Sequence, residues 1–383
     1  MNVPKLRFKE FNDKYNITKV SEIIDVIDGD RGNNYPKAND FYDSEFCLFL
    51  NAGNVTKNGF NFKNNQFITK EKDKKLRKGK LLINDIVLTT RGTVGNIAWF
   101  NEKTPYKNIR INSGMVINRI KENGHLLPEY LYSYMKSPVF ENQVNKMNYG
   151  SAQPQLTVSG INKFNIQYPT INEQKKVSTI MLLLDKKIEL QSKKIEDLKL
   201  FTKNTISNEL NNLQNYNIFK FKDICNIQTG KSNTQDKCDD GIYPFYIRSE
   251  NIERSNNYIF DCEAVLTIGD GNIGKVFFYE NGKFDCHQRV YVLNNFKNVL
   301  GKYVYYYFSS FFYKRAMSMS AKNTVDSVRM EMISDMIIKV PQEKEQIKMI
   351  NLFSSLDKKL ELEQNKLDKL QELKKGLMQN MFV

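Results

Sequence analysis

The chain has 383 residues, too many for one ordinary domain and suited to two or three. Hydrophobic residues make up 40% and charged residues 26%, enough for real cores. With no apolar run of membrane-spanning length and no apolar leader at the N-terminus, this composition points to a cytoplasmic globular protein. The formal charge of +14 favours a polyanionic partner, because Lys and Arg release counterions from phosphates. Five cysteines without a C-x-x-C pair argue against a disulfide framework or a zinc ribbon. Two histidines, His125 and His287, leave little for a His-based metal site.

In chain order, residues 17–23 (ITKVSEI) open a globular segment of short β-branched and aromatic runs punctuated by Gly, Asn and Asp. The run 82–90 (LINDIVLTT) predicts a strand, followed by a Gly-containing turn at 90–95. A helix is expected from Tyr130. After Pro169, apolar residues at Met181, Leu184, Ile188, Gln191, Ile195 and Leu198 follow the three-four spacing of a heptad seam. A second globular segment follows, with expected strands at 264–268, 276–279 and 289–293 and a helix from Tyr303. It ends in a second seam: Phe353, Leu356, Leu360, Glu363, Leu367 and Leu370.

The two halves are one unit written twice. Residues 169–177 (PTINEQKKV) match 341–349 (PQEKEQIKM), and 184–190 (LDKKIEL) match 356–362 (LDKKLEL), both at an offset of 172. Upstream, with indels, 17–23 match 218–224, and 130–134 match 303–307. A narrow seam needs a partner. The nearest is the other copy, lying antiparallel; the alternative is two independent surface helices.

Enzyme motifs are missing or misleading. Residues 269–276 (GDGNIGKV) contain G-x-G-x-x-G and nearly a P-loop, but both motifs need a helix next, and here a second strand is expected. A hairpin turn is the preferred reading over a nucleotide site. No two prolines adjoin, so the N/D-P-P-Y/F motif of adenine methyltransferases is absent. So are G-x-S-x-G and H-E-x-x-H. The pair Asp239 and Asp240 reads as a turn. The chain is expected to be non-catalytic, with no cofactor and no metal.

Taken together, Ile166, Tyr168, Pro169, Glu173, Gln174, Leu184, Asp185, Ile188 and Leu190, repeated as Ile338, Val340, Pro341, Glu345, Gln346, Leu356, Asp357, Leu360 and Leu362, resemble the specificity subunits of Type I restriction–modification systems. The resemblance covers essentially the whole chain, with a shorter second globular segment and one extra residue in its Gly-rich turn. It implies an α+β chain of two mixed α/β target-recognition domains. These are separated by two long helices in an antiparallel coiled coil with a pseudo-twofold internal repeat. The expected boundaries are 1–168, 169–215, 216–340 and 341–383. Each globular half would read one part of a bipartite double-stranded DNA site. The helices would set the spacer and seat two methyltransferase subunits, to which motor–nuclease (restriction) subunits add; no membrane is involved. Leu184, Ile188, Ile195, Leu198, Leu356, Leu360, Leu367 and Leu370 are the expected coiled-coil and docking residues.

A sequence reader needs donors and acceptors on loops above a basic surface. The candidates are Arg91, Asn96, Asn112, Ser151, Gln153 and Gln155 in the first half. In the second they are Lys231, Arg248, Asp270, Asn272, Lys275, His287, Gln288, Arg289, Lys322 and Asn323.

Overall fold

The computed structural model describes residues 3–122, 125–148, 155–319 and 327–383. They form two compact units, residues 1–190 with 367–383, and residues 191–366.

In the first unit a four-stranded antiparallel sheet runs in the order Ile24–Asp28, Met115–Ile120, Ile86–Thr89, Ile97–Trp99. Successive side chains of a strand point to opposite faces, and both faces here are covered. Ile86, Leu88 and Val116 enter a core with the helix Pro128–Met135. Val87, Ile117 and Ala98 enter a second core against Leu48, Phe67 and Ile109, which lie on a three-stranded sheet. The expected strand at 82–90 starts only at Ile86. Asn84 takes φ 77 and the Leu82 N–H donates to Asp85 Oδ2 at 2.7 Å, so residues 82–85 are a turn that leaves Leu82 and Ile83 exposed.

The second unit repeats the sheet order with Asn226–Thr229, Val290–Asn294, Phe260–Ile268 and Phe277–Cys286, then adds Tyr243–Tyr246 and Ile252–Ser255. Its faces also serve two cores. Val265 and Leu293 pack with the helix Gly301–Ser318, while Leu266, Ile268 and Val292 face the other way.

A two-stranded sheet closes each globular segment: Asn16–Lys19 with Asn165–Tyr168, and Tyr216–Lys220 with Ile337–Pro341. The long helices Ile171–Asn211 and Glu343–Met381 follow directly. Their first turns are tied to the globular parts by the repeated glutamine. Gln174 accepts from the Leu127 N–H at 2.9 Å and donates to the carbonyls of His125 (2.8 Å) and Pro169 (2.9 Å). Gln346 accepts from the Leu300 N–H and donates to the Pro341 carbonyl, both at 2.9 Å. Likewise the Tyr130 hydroxyl donates to the Gln167 carbonyl (2.9 Å) and the Tyr303 hydroxyl to the Lys339 carbonyl (2.6 Å).

Each unit contains part of both long helices. In the first, Lys374 pairs with Asp185, and Met378, Met381 and Phe382 share a core with Val177, Met181 and Tyr130. In the second, Gln191 Nε2 donates to the Glu363 carbonyl (2.9 Å) and to its Oε2 (2.8 Å), and Leu210 shares a core with Met349 and Phe353. The expected seam positions are all buried or half-buried, whereas Leu183, Leu190, Leu200 and Leu362 face solvent.

Candidate nucleic-acid interface

In each unit, three loops meet at one end of the repeated sheet. In the first unit these are the loops after Asp28, after Thr89 and before Met115. The Thr90 N–H donates to the Gly114 carbonyl (2.8 Å), and the Leu156 N–H donates to the Thr90 carbonyl (3.0 Å). Gly29 lies so close to the Asn112 carbonyl that a Cβ would collide with it. The second unit repeats the frame. The Gly269 N–H donates to the Arg289 carbonyl, and the Val328 N–H to the Gly269 carbonyl, both at 2.7 Å. Gly230 lies against the Cys286 carbonyl as Gly29 lies against Asn112.

The side chains on the two rims differ. In the first unit Arg91 is exposed and lies against the Gln155 amide; its two donors assign the amide oxygen to that side, where it accepts from Nη2 (2.8 Å) and Nε (3.2 Å). Arg31 reaches the Ser113 carbonyl (3.5 Å) and Asp28 (3.0 Å). Asn96 and Asn112 each give one side-chain atom to the frame. Asn96 Nδ2 donates to the Val55 carbonyl (3.0 Å), and Asn112 Oδ1 accepts from the Gly114 N–H (2.8 Å). Short amide side chains hold turns in this way, and loop position alone did not reveal it. Ser151 and Gln153 lie outside the described residues, as do Lys322 and Asn323.

In the second unit Asp270 gathers two arginines, Arg289 at 2.9 Å and Arg248 at 3.2 Å, both exposed. Partial burial works to raise the Asp270 carboxyl, but the hydrogen bonds from Arg289 and Arg248 and their charges outweigh it and hold it below the usual carboxylate range. His287, 4% exposed, sits behind them. Burial and then the charge of Arg248 push its pKa down, and its Nδ1 accepts from the Arg289 N–H (3.1 Å). That bond assigns the proton of the neutral ring to Nε2. Gln288 Nε2 donates to Asn233 Oδ1 at 2.8 Å. Lys231 and Asn272 are exposed, and the Lys275 ammonium lies 5.6 Å from the centre of the Tyr313 ring. Exposed ion pairs are worth only about 0–1 kcal/mol, so the Asp270 contacts orient the arginines more than they stabilise the fold.

The loop 269–275 joins strands Phe260–Ile268 and Phe277–Cys286, which pair with each other antiparallel. The hairpin reading of the glycine motif therefore holds, and the helix N-terminus that cradles a phosphate is not there.

Sequence reasoning placed Asp270 among the candidate loop residues without its pairing to two arginines, and it missed the basic run at 70–80 as part of the first rim. That run is tied in by the Arg77 N–H, which donates to Asp30 Oδ2 at 2.6 Å.

A sequence profile of the Type I restriction modification DNA specificity domain matches residues 12–200 and again 214–372. The chain belongs to the Type I restriction–modification DNA specificity family. Among characterised relatives of that family, the Type I restriction enzyme EcoDI specificity subunit of Escherichia coli is 24% identical over 157 residues, 41% of this chain and 34% of that one. The MjaIX specificity subunit of Methanocaldococcus jannaschii is 32% identical over 114 residues, 30% of this chain and 25% of that one. The matched stretches thus span about a third and a quarter of those relatives. The S subunit of a Type I restriction–modification system from M. genitalium superposes with a TM-score of 0.66 at 14% identity, covering 100% of this chain and 99% of its own. A chain from a structure of Type I R-M complex assembly and conformational transition gives 0.58 at 13% identity, covering 95% and 96%. These likenesses support the fold of a specificity-family chain.

Proposed function

We propose that the chain is the non-catalytic DNA-specificity subunit of a Type I restriction–modification complex, each globular half reading one part of a bipartite double-stranded site. The observation that carries this reading is the doubled rim. The same pair of backbone hydrogen bonds and the same glycine contact recur in both units. On that common frame stand different donors and acceptors, which is what two unlike half-sites require. The net charge of +14 supplies affinity for phosphate.

The functional divisions in this proposal are 1–168 and 216–340 for target recognition, 169–215 and 341–383 for the helices. The helices form an antiparallel coiled coil that gives the chain its pseudo-twofold repeat. With Gln191 opposite Glu363, heptad spacing places Ile195 and Leu198 toward Leu360 and Leu356, and Ile188 and Leu184 toward Leu367 and Leu370. This pair sets the spacer. Leu190 and Leu362, exposed and equivalent in the repeat, together with Phe201 and Leu373, offer two like apolar faces for two methyltransferase subunits, to which restriction subunits add.

The test is to express the chain with a methyltransferase partner and sequence the modified positions of the host DNA. One split motif with an unread gap is expected, lost when the chain is deleted. Methylation that is independent of the chain, or a continuous motif, would overturn the reading.

A further inference from the structure

Residues 70–80 (KEKDKKLRKGK) hold seven basic residues against two acidic ones. A run like this usually describes a solvated helix face, and part of it is a short helix, Lys70–Lys75. Its anchoring argues otherwise. The Arg110 guanidinium, nearly buried, donates to Asp73 Oδ1 (2.6 Å) and to the carbonyls of Lys78 (2.7 Å), Asp73 (2.8 Å) and Leu76 (3.1 Å). Lys80 closes on the other Asp73 oxygen at 2.5 Å. Asp30, itself buried, takes the Arg77 N–H. Its carboxyl is held below the usual range, because the backbone N–H groups of Arg77 and Arg31 outweigh the effect of burial.

A buried ion pair stabilises a fold less than apolar packing of the same volume, but it can impose one backbone path. The path imposed here leaves Lys74, Lys75, Arg77 and Lys78 exposed. Among the described residues, Lys74, Lys75 and Lys78 have no carboxylate within ion-pair distance, while Lys72 and Lys80 pair inward with Asp40 and Asp73, and the Arg77 guanidinium lies 3.7 Å from Asp30. The strap is also continuous with the rim. The Ile111 N–H donates to the Gly79 carbonyl (2.9 Å) one residue before Asn112, and Asp30 follows Gly29. In the second unit the equivalent segment, between strands Ile252–Ser255 and Phe260–Ile268, is 256–259 (NNYI), which has no charged residue.

We propose that residues 74–78 are a preformed phosphate clamp. It grips the sugar–phosphate backbone of duplex DNA beside the first unit's rim, without regard to sequence, and has no counterpart in the second unit. The proposal rests on the DNA-binding reading above.

The experiment measures binding of the full chain to a 30-bp duplex of random sequence as a function of salt. It compares wild type, K74Q/K75Q/K78Q, and a charge-matched control, K14Q/K19Q/K163Q, whose lysines are exposed in the same unit beyond the opposite end of the sheet. Each lost phosphate contact removes about 0.9 from the slope of log K against log salt. The clamp variant should therefore be shallower by about 2.7, so that raising salt from 50 to 200 mM costs it about 40-fold less affinity than wild type. The control should keep the wild-type slope. An unchanged slope in the clamp variant, or an equal loss in the control, overturns the clamp and leaves the DNA reading standing. Wild type that binds no duplex at any salt overturns the DNA reading and the clamp with it.

Discussion

The two rims share a backbone and differ in what stands on it. In the first unit an arginine faces a neutral amide, Arg91 with Gln155; in the second, two arginines share a carboxylate, Arg248 and Arg289 with Asp270. Underneath, the loops are joined by matching backbone bonds and a matching glycine. Backbone groups inside a packed frame must find partners, so the frame is costly to change. Side chains at its outer edge carry little stability and can vary at little cost to the fold.

The frame can be broken first. Replacing Gly230 with alanine drives a Cβ into the Cys286 carbonyl, and Gly29→Ala does the same at Asn112. Overpacking against backbone costs about 3 kcal/mol. Denaturant unfolding should show losses of similar size in both variants. Gly271→Ala, with open space around it and φ 77, should cost about 1–2 kcal/mol from its backbone conformation alone. If the two frame glycines behaved differently, the shared-frame comparison would fail.

The helix ties sharpen it next. Gln174 makes three hydrogen bonds and Gln346 two. Buried groups left unpaired cost about 1–3 kcal/mol, so Gln174→Ala should destabilise by about 2–3 kcal/mol and Gln346→Ala by about 1–2. Equal losses, or a larger one at Gln346, would contradict the count.

Asp270→Asn acts on a rim alone. Stability should change by less than about 1 kcal/mol, since the pairs are exposed. Selection from a random duplex pool should show about tenfold poorer discrimination in the second half-site, where misaimed arginines lose base contacts worth about 1–3 kcal/mol. The first half-site should keep its sequence, and non-specific affinity should rise with the lost negative charge. Equal loss in both half-sites would mean that Asp270 supports the fold and does not aim the arginines.

The smallest effect belongs to Glu363. Hydrogen bonds from Gln191, then Lys366 and Lys194, hold its pKa at about 2, below the ordinary 4.5. A carboxyl depressed by folding adds stability above its unfolded pKa and loses it as pH falls. The contribution should be complete above about pH 5 and fade between 4.5 and 2. Comparing acid unfolding of wild type with Glu363→Gln should show a flatter acid limb in the variant.

The doubled helices and the strand-rich halves were legible because period and offset survive in single residues such as Leu184 and Leu356, or Gln174 and Gln346. The rim was legible only in outline. Arg91, Gln155, Arg248 and Arg289 were found as loop residues, but nothing local says that Asp270 joins the last two from 22 and 19 residues away. Asn96 and Asn112 each hold a turn, a role that sequence does not separate from base reading because both use the same residue type. The run at 70–80 went unnoticed because its anchors, Asp30 and Arg110, lie 47 and 32 residues distant in the chain.

The central claim is that two independent readers share one frame. It is tested most directly by exchanging residues 17–166 for those of a relative with a different target, and sequencing the methylated sites in cells that carry the hybrid. The account predicts that one half-site takes the relative's sequence while the other half-site and the gap between them stay as they were. Change in both half-sites, or in neither, would contradict it.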